Sequence, residues 1–280
     1  MHDLNTRQLS LRYEASLRVN EVLAALGRTE DVRFSPNNRR LAIASFLKHQ
    51  VTVFDIEIAV STDGPRIALT GGVQLASPAI VMPHGIDFID DQTLIVTSRG
   101  ENASVFSLPA GTSACPSVEV QPSSMWSAGP GSVLKVPGSV AVTGVTQDRA
   151  ELLICNNAAN TVSRHVLRRS DGSEVGESRI LLHKHLDVPD GLAFSADGRW
   201  LAISNHNTHS ALIYDRTRPL DKDAEPDAIL RQVLYPHGLR FSRDGRSLFV
   251  ADAGAPTCMS SRVVGPAGAA SGIQSQRPES

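Results

Sequence analysis

A chain of 280 residues with 41% apolar side chains can bury a sizeable core, and a formal charge of −2 gives no basic field to attract nucleic acid. No apolar run is long enough to cross a bilayer. The opening residues lack the basic-then-apolar layout of a secretory signal, so a cytoplasmic protein without membrane or nucleic-acid partners is expected. Cys115, Cys155 and Cys258 show no paired spacing and read as reduced thiols.

In chain order, residues 9–13 and 16–23 come first. The second segment is rich in Leu and Val. A helix competes for it, but its likeness to residues 229–234, which precede a later unit, favours a strand. A first unit follows, with strands around residues 30–34, 41–44, 51–54 and 66–69. A second opens at Pro83-His84-Gly85 and has strands at 94–96 and 103–108. Residues 109–131 are rich in Ser, Pro and Gly and read as a long surface loop, with Trp126 either plugging the body or lying loose. A third unit is anchored at Thr143-Gly144, with a turn at Asp171-Gly172. Residues 189–205 and 236–252 are near-identical hairpins of the form Pro-Asp/His-Gly-x-x-Phe-Ser-x-Asp-Gly-Arg, whose Asp-Gly pairs signal type I′ turns. After Asp252 the strand pattern breaks off, and residues 261–280 have a disordered composition.

The anchors at 31, 85, 144, 191 and 238 lie 47 to 59 residues apart. Several strands per unit at that period predict an all-β fold, a β-propeller of four-stranded antiparallel blades. Five units are visible, for five to six blades with the last incomplete, in one domain over residues 1–260. In such a fold the start of each first strand and the end of each second strand share one face. Glu30, His84, Thr143, Asp190 and His237 are thereby expected around the channel mouth. Ser45, Ser98 or Arg99, Asn156 or Asn157, Asn205 with His206, and Asp252 join them as a polar ring.

The repeated units at 189–205 and 236–252 resemble those of the propeller lactonases, of the 6-phosphogluconolactonase type and of the gluconolactonase, senescence-marker-like type. They are also related to YVTN and NHL repeats. The resemblance implies a hydrolase acting on a sugar lactone or related small ester. In the senescence-marker-like group it implies one divalent cation, calcium or similar, which Glu30, Asp190 and Asp252 would hold here. In the metal-free type, polar and basic residues bind the sugar, a role suited to His84, Arg99, Asn157, Asn205 and His206. His237 or Asp252 would then act as general base, with Arg99 or His84 steadying the oxyanion. The alternative is a non-catalytic propeller that binds a protein or small ligand on its face.

Overall fold

The computed structural model describes residues 12–61, 64–169, 174–231, 233–254 and 257–262. After β1 (Arg12–Ala15) and helix α1 (Leu17–Ala24), alternating apolar and polar residues form β2 (Thr29–Phe34), β3 (Arg40–Ser45), β4 (Gln50–Ser61) and β5 (Gly64–Ala76), the first antiparallel sheet. The second holds β6 (Pro83–Asp90), β7 (Thr93–Ser98) and β8 (Asn102–Ser107). The chain then returns to pair β9 (Ser117–Glu119) with β5, in parallel, before β10 (Ser124–Ser127) completes the second sheet as its fourth strand. The third consists of β11 (Pro137–Val145), β12 (Arg149–Asn156), β13 (Thr161–Arg168) and β14 (Glu174–Leu182). The fourth has β15 (Pro189–Phe194), β16 (Trp200–Asn205), β17 (Ser210–Asp215) and β18 (Ala228–Leu230). The fifth has, among the described residues, three strands, β19 (Pro236–Phe241), β20 (Ser247–Asp252) and β21 (Thr257–Arg262). The first strands pack in succession, β2 on β6, β6 on β11, β11 on β15 and β15 on β19. These sheets are the blades of a propeller.

Several expectations are corrected. Residues 17–24 form a helix: Ser16 caps it by accepting from the Val19 amide, Val19 and Val22 fall on one buried helical stripe, and Leu26, just past the C-cap, is buried beside them. That spacing outweighs the strand-like composition. The stretch 109–131 is no simple loop, since it supplies β9 and β10, with Trp126 in the latter facing the third blade. A third strand follows Asp252 after all, and Ser261 lies within it. The Asp171-Gly172 turn and residues 263–280 fall outside the described residues.

The third anchor also moves. Pro83, Pro189 and Pro236 each face the last residue of the neighbouring strand, and in the third blade Pro137 does so, opposite Asn156. Thr29 takes this place in the first blade, so the true anchors lie 54, 54, 52 and 47 residues apart. Two register shifts along β11 place Thr143 well down the strand, away from the mouth.

The hairpin turns are not type I′. Residues 242–246 form a five-residue loop in which only Gly245 has positive φ, at 68°. Ser242 Oγ donates to Asp244 Oδ1 at 2.6 Å and accepts from the Ser247 amide at 2.9 Å, while Asp244 also accepts from Arg246 N. Ser195 with Asp197 and Ser35 with Asn37 repeat the arrangement.

Apolar clusters fill the four spaces between successive blades. A fifth lies under α1, where Val19, Val22 and Leu26 cover Phe54, Ile56 and Leu69 on the face of the first blade turned away from the second. Burying each of those helix residues stabilises the packing by roughly 1.5–3 kcal/mol. At the axis, Arg33 is buried and donates to the Ile86 carbonyl at 2.9 Å and the Val140 carbonyl at 3.2 Å. Asp31 accepts from Ile86 N, and Asp87 from Val142 N. Burial pushes both carboxyls up, and Arg33, 3.6 and 3.7 Å from them, opposes the shift.

Close approach of inner strands explains the glycine of the Pro-x-Gly anchors. A Cβ at Gly191 would lie 2.2 Å from the His237 carbonyl oxygen, and one at Gly85 would lie 2.6 Å from backbone of the third blade. At Gly238 a Cβ would meet nothing within 4 Å, because among the described residues no inner strand packs there. Gly191→Ala is expected to cost about 2 kcal/mol or more and Gly238→Ala no more than about 0.5. Thermal unfolding compares them directly, and equal losses would refute the packing asymmetry.

His165 is fully buried between Ser163 Oγ at 2.8 Å and Ser178 Oγ at 2.7 Å, with the Trp126 ring 5.7 Å away. Burial lowers its pKa to about 4, so the fold holds it neutral. A lowered folded pKa means the unfolded chain takes up the extra proton. The contribution of His165 to stability is therefore full above pH 6.5 and falls as pH drops toward 4, by at most about 1.4 kcal/mol per pH unit. Denaturant titrations from pH 7 to 4 should show this slope, and a shallower one in His165→Gln; parallel profiles would exclude His165 as its source.

Candidate functional site

The residue after each anchor proline points to one end of the channel. Glu30 (after Thr29), His84, Asp190 and His237 occupy four of the five places, and Gly138 takes the fifth. Gly138 leaves room for a neighbour: a Cβ there would lie 2.4 Å from Asn157 Oδ1. Asn157, just past β12, and Arg99, just past β7, fill the ring from the outside.

Asp190 is its centre. It is buried, and its Oδ2 lies 2.8 Å from His237 Nδ1. Its Oδ1 accepts from Asn157 Nδ2 at 3.2 Å and lies 3.5 Å from His84 Nε2 and 3.7 Å from Arg99 Nη2. Arg99 also donates to Asn157 Oδ1 at 2.9 Å and to the Val136 carbonyl. Burial alone would raise the Asp190 pKa, but the His237 hydrogen bond, the charges of His84 and His237 and the Asn157 amide outweigh it. The carboxyl is held well below its usual range.

The two anchor histidines behave differently. The hydrogen bond to Asp190 raises the pKa of His237, whose side chain is 34% exposed. His84 is buried, and desolvation lowers its pKa against the pull of Asp190 and Glu30. Its Nε2 sits 3.6 Å from Glu30, beyond hydrogen-bond length, and its Nδ1 has no hydrogen-bond partner. Glu30 pairs with Arg28 at 2.5 Å. His206 stands edge-on to His237 with ring centroids 4.8 Å apart, and desolvation, together with the charge of His237, lowers its pKa.

The mouth opens sideways. A cavity of about 550 Å³ lies between the first and fifth blades, with Arg28, Glu30 and His237 at its polar end and Val32, Phe249 and Ala251 along its wall. No repeat or motif marks Arg28 in the sequence, because it lies in the bend just before β2, yet the fold brings it to the same cavity as Glu30.

Two residues expected in the ring serve loops instead. Asn205 accepts from Asp187 N at 2.7 Å and donates to the His185 carbonyl and Thr208 Oγ1. Asp252 accepts from the amides of Leu234, Tyr235 and Gly254 at 2.8 to 2.9 Å. The expected cation site of Glu30, Asp190 and Asp252 does not suit a metal ion. Among the described residues no three His, Cys, Asp or Glu side chains are placed to hold one. Asp252 is engaged by amides, and Arg99 and His237 bring positive charge to Asp190.

No protein-family model matches this sequence, and no curated protein matches it. Solved structures do. A structure of the nidogen/laminin complex aligns with TM-score 0.57 at 15% identity, covering 84% of this chain and 75% of that one. A 6-phosphogluconolactonase candidate from Bacteroides uniformis gives 0.51 at 14%, covering 84% and 66%. Another from Bacteroides fragilis gives 0.52 at 14%, covering 82% and 65%. The chain thus spans 65–75% of the length of these neighbours, and the likeness establishes the propeller fold. Among the described residues no helix is long and apolar enough to cross a membrane.

The raised pKa of His237 and the depressed pKa of Asp190 mean that the pair contributes its full stability between pH 3.8 and 6.5, losing it as pH rises through the folded value of His237 and as pH falls below 3.8. NMR titration should find His237 above 6.5 and Asp190→Asn should lower it. A His237 midpoint below 6.5 would contradict the pairing.

Proposed function

We propose that the channel mouth hydrolyses a small ester or lactone, as a lactonase-like hydrolase, with His237 as general base. The observation that carries this is the Asp190–His237 pair at the polar end of the cavity. When His237 is neutral and donates Nδ1–H to Asp190, its Nε2 lone pair is left for a water. As the water oxygen bonds to the carbonyl carbon, its proton passes to Nε2 and the carbonyl oxygen becomes an oxyanion, which Arg28 on the cavity wall can stabilise. Collapse breaks the ester bond, and the leaving alkoxide takes the proton from His237. Arg99 and Asn157 hold Asp190 in place.

The wall of Val32, Phe249 and Ala251 suits a substrate with an apolar face better than a densely hydroxylated sugar. This mechanism routes no step through a cation. Non-catalytic binding of a protein is the second function the surface supports, because Leu234, Tyr235, Phe249 and Val32 expose apolar area around the same opening.

Assays on γ- and δ-lactones and aryl acetates test the proposal. Hydrolysis should rise with pH through the His237 midpoint, fall on the order of 10²-fold or more in a folded His237→Gln variant, and be unaffected by chelator. Rates equal to buffer across the panel, or an unchanged rate in the variant, would overturn it in favour of the binding protein.

A further inference from the structure

At the hairpin end of the third and fourth blades, away from the mouth, lies a second cavity of about 260 Å³. Arg164, Arg179, Arg216 and Arg218 line it, with Glu151 and a leucine floor. The nearby carboxylates are already engaged. Glu151 binds Arg164 at 2.7 Å, Glu177 lies 3.4 Å from Arg164 and 3.8 Å from Arg179, and Asp227 pairs with Arg218.

Arg216 differs from the other three. It is half-buried and has no carboxylate within ion-pair distance among the described residues. Its guanidinium stacks over the Phe194 ring, 4.7 Å from the centroid, and donates one hydrogen bond of 2.7 Å to the Gly198 carbonyl. The plane is therefore fixed while its other N–H donors remain for the cavity. A guanidinium cannot shed its charge at neutral pH, and Glu151 acts on it only from beyond ion-pair distance while bound to Arg164, so this partly desolvated cation is incompletely compensated. A stacked, immobilised fork with neighbouring forks matches an oxyanion, since guanidinium groups bind such groups through paired hydrogen bonds at little entropic cost.

We propose that this cleft binds a compact oxyanion of the phosphate class, anchored by Arg216 and flanked by Arg179 and Arg218. The cavity exceeds the size of the bare ion, and the leucine floor leaves space for a short carbon stem, as in a phosphomonoester. The site is separate from the mouth and independent of the proposed hydrolysis.

The test is calorimetry and thermal unfolding of the full chain with inorganic phosphate, at ionic strength held constant with sodium chloride. Saturable binding with Kd below about 1 mM and a Tm rise of about 2–5 °C at saturation are expected. Both should be lost in Arg216→Gln, weakened several-fold in the exposed Arg218→Gln, and retained in His237→Gln. Glycerol 1-phosphate binding more tightly than phosphate would assign the stem to the leucine floor, and equal affinity would assign the free ion. No saturable binding, or unchanged binding in both arginine variants, would overturn the proposal. Arg218 is exposed enough that its variant reports on the site even if Arg216→Gln fails to fold.

Discussion

Arg33 ties the axis of this propeller together. One buried guanidinium reaches inner-strand carbonyls of the second and third blades from its place in the first, and Asp31 and Asp87 each accept a backbone amide of the next blade. Inner strands carry backbone groups toward the axis, and those that are buried must find partners. Three charged side chains provide them across three blades. The carboxylates are costly to bury, and Arg33 makes their burial tolerable. With the inner strands held in place, the residues just after each anchor converge at one end.

That convergence produces an uneven division of charge. Asp190 gathers His237, His84, Arg99 and Asn157, whereas Glu30 has Arg28 and, at 3.6 Å, a His84 whose pKa burial lowers. A single strongly ionised carboxylate among cations keeps one histidine charged or hydrogen-bonded and the other desolvated. The same Pro-His-Gly tripeptide thus yields two imidazoles of opposite tendency, set by burial and by which one touches Asp190. Repetition of sequence does not imply repetition of chemistry.

Much of this architecture is legible in the residues. The hairpins at 189–205 and 236–252 are visible because alternation and a Ser-x-Asp-Gly loop coincide, and they place Asp190 and His237 at the mouth. The third blade is harder to read. Pro137-Gly138 carries no side chain to announce it, and the bulges of β11 make Gly144 resemble an anchor. α1 hides because Leu and Val serve strands as well as helices, and only the 19, 22, 26 spacing distinguishes them. β10 is four residues long, too short for a periodic signal. Asp252 and Asn205 look like ligands because a carboxylate or amide at a strand end suits a backbone amide as well as a substrate; only coordinates show which it meets.

The empty space beside Gly238 bears on how the molecule comes apart. The fourth sheet is clasped on both sides, while among the described residues the fifth shares an apolar cluster with the fourth alone and meets the first through Arg240, which reaches Asp31 and the Val32 carbonyl. α1 covers the first blade's outward face in its place, so that face does not depend on the fifth blade for burial. The fifth sheet is then the cheapest cooperative unit to release. Its amides would exchange with solvent through a sub-global opening that leaves the other four blades and the Arg33 axis folded. Since His237 rides on that sheet, the same opening would separate the imidazole from Asp190, tying the integrity of the mouth to the least secured blade.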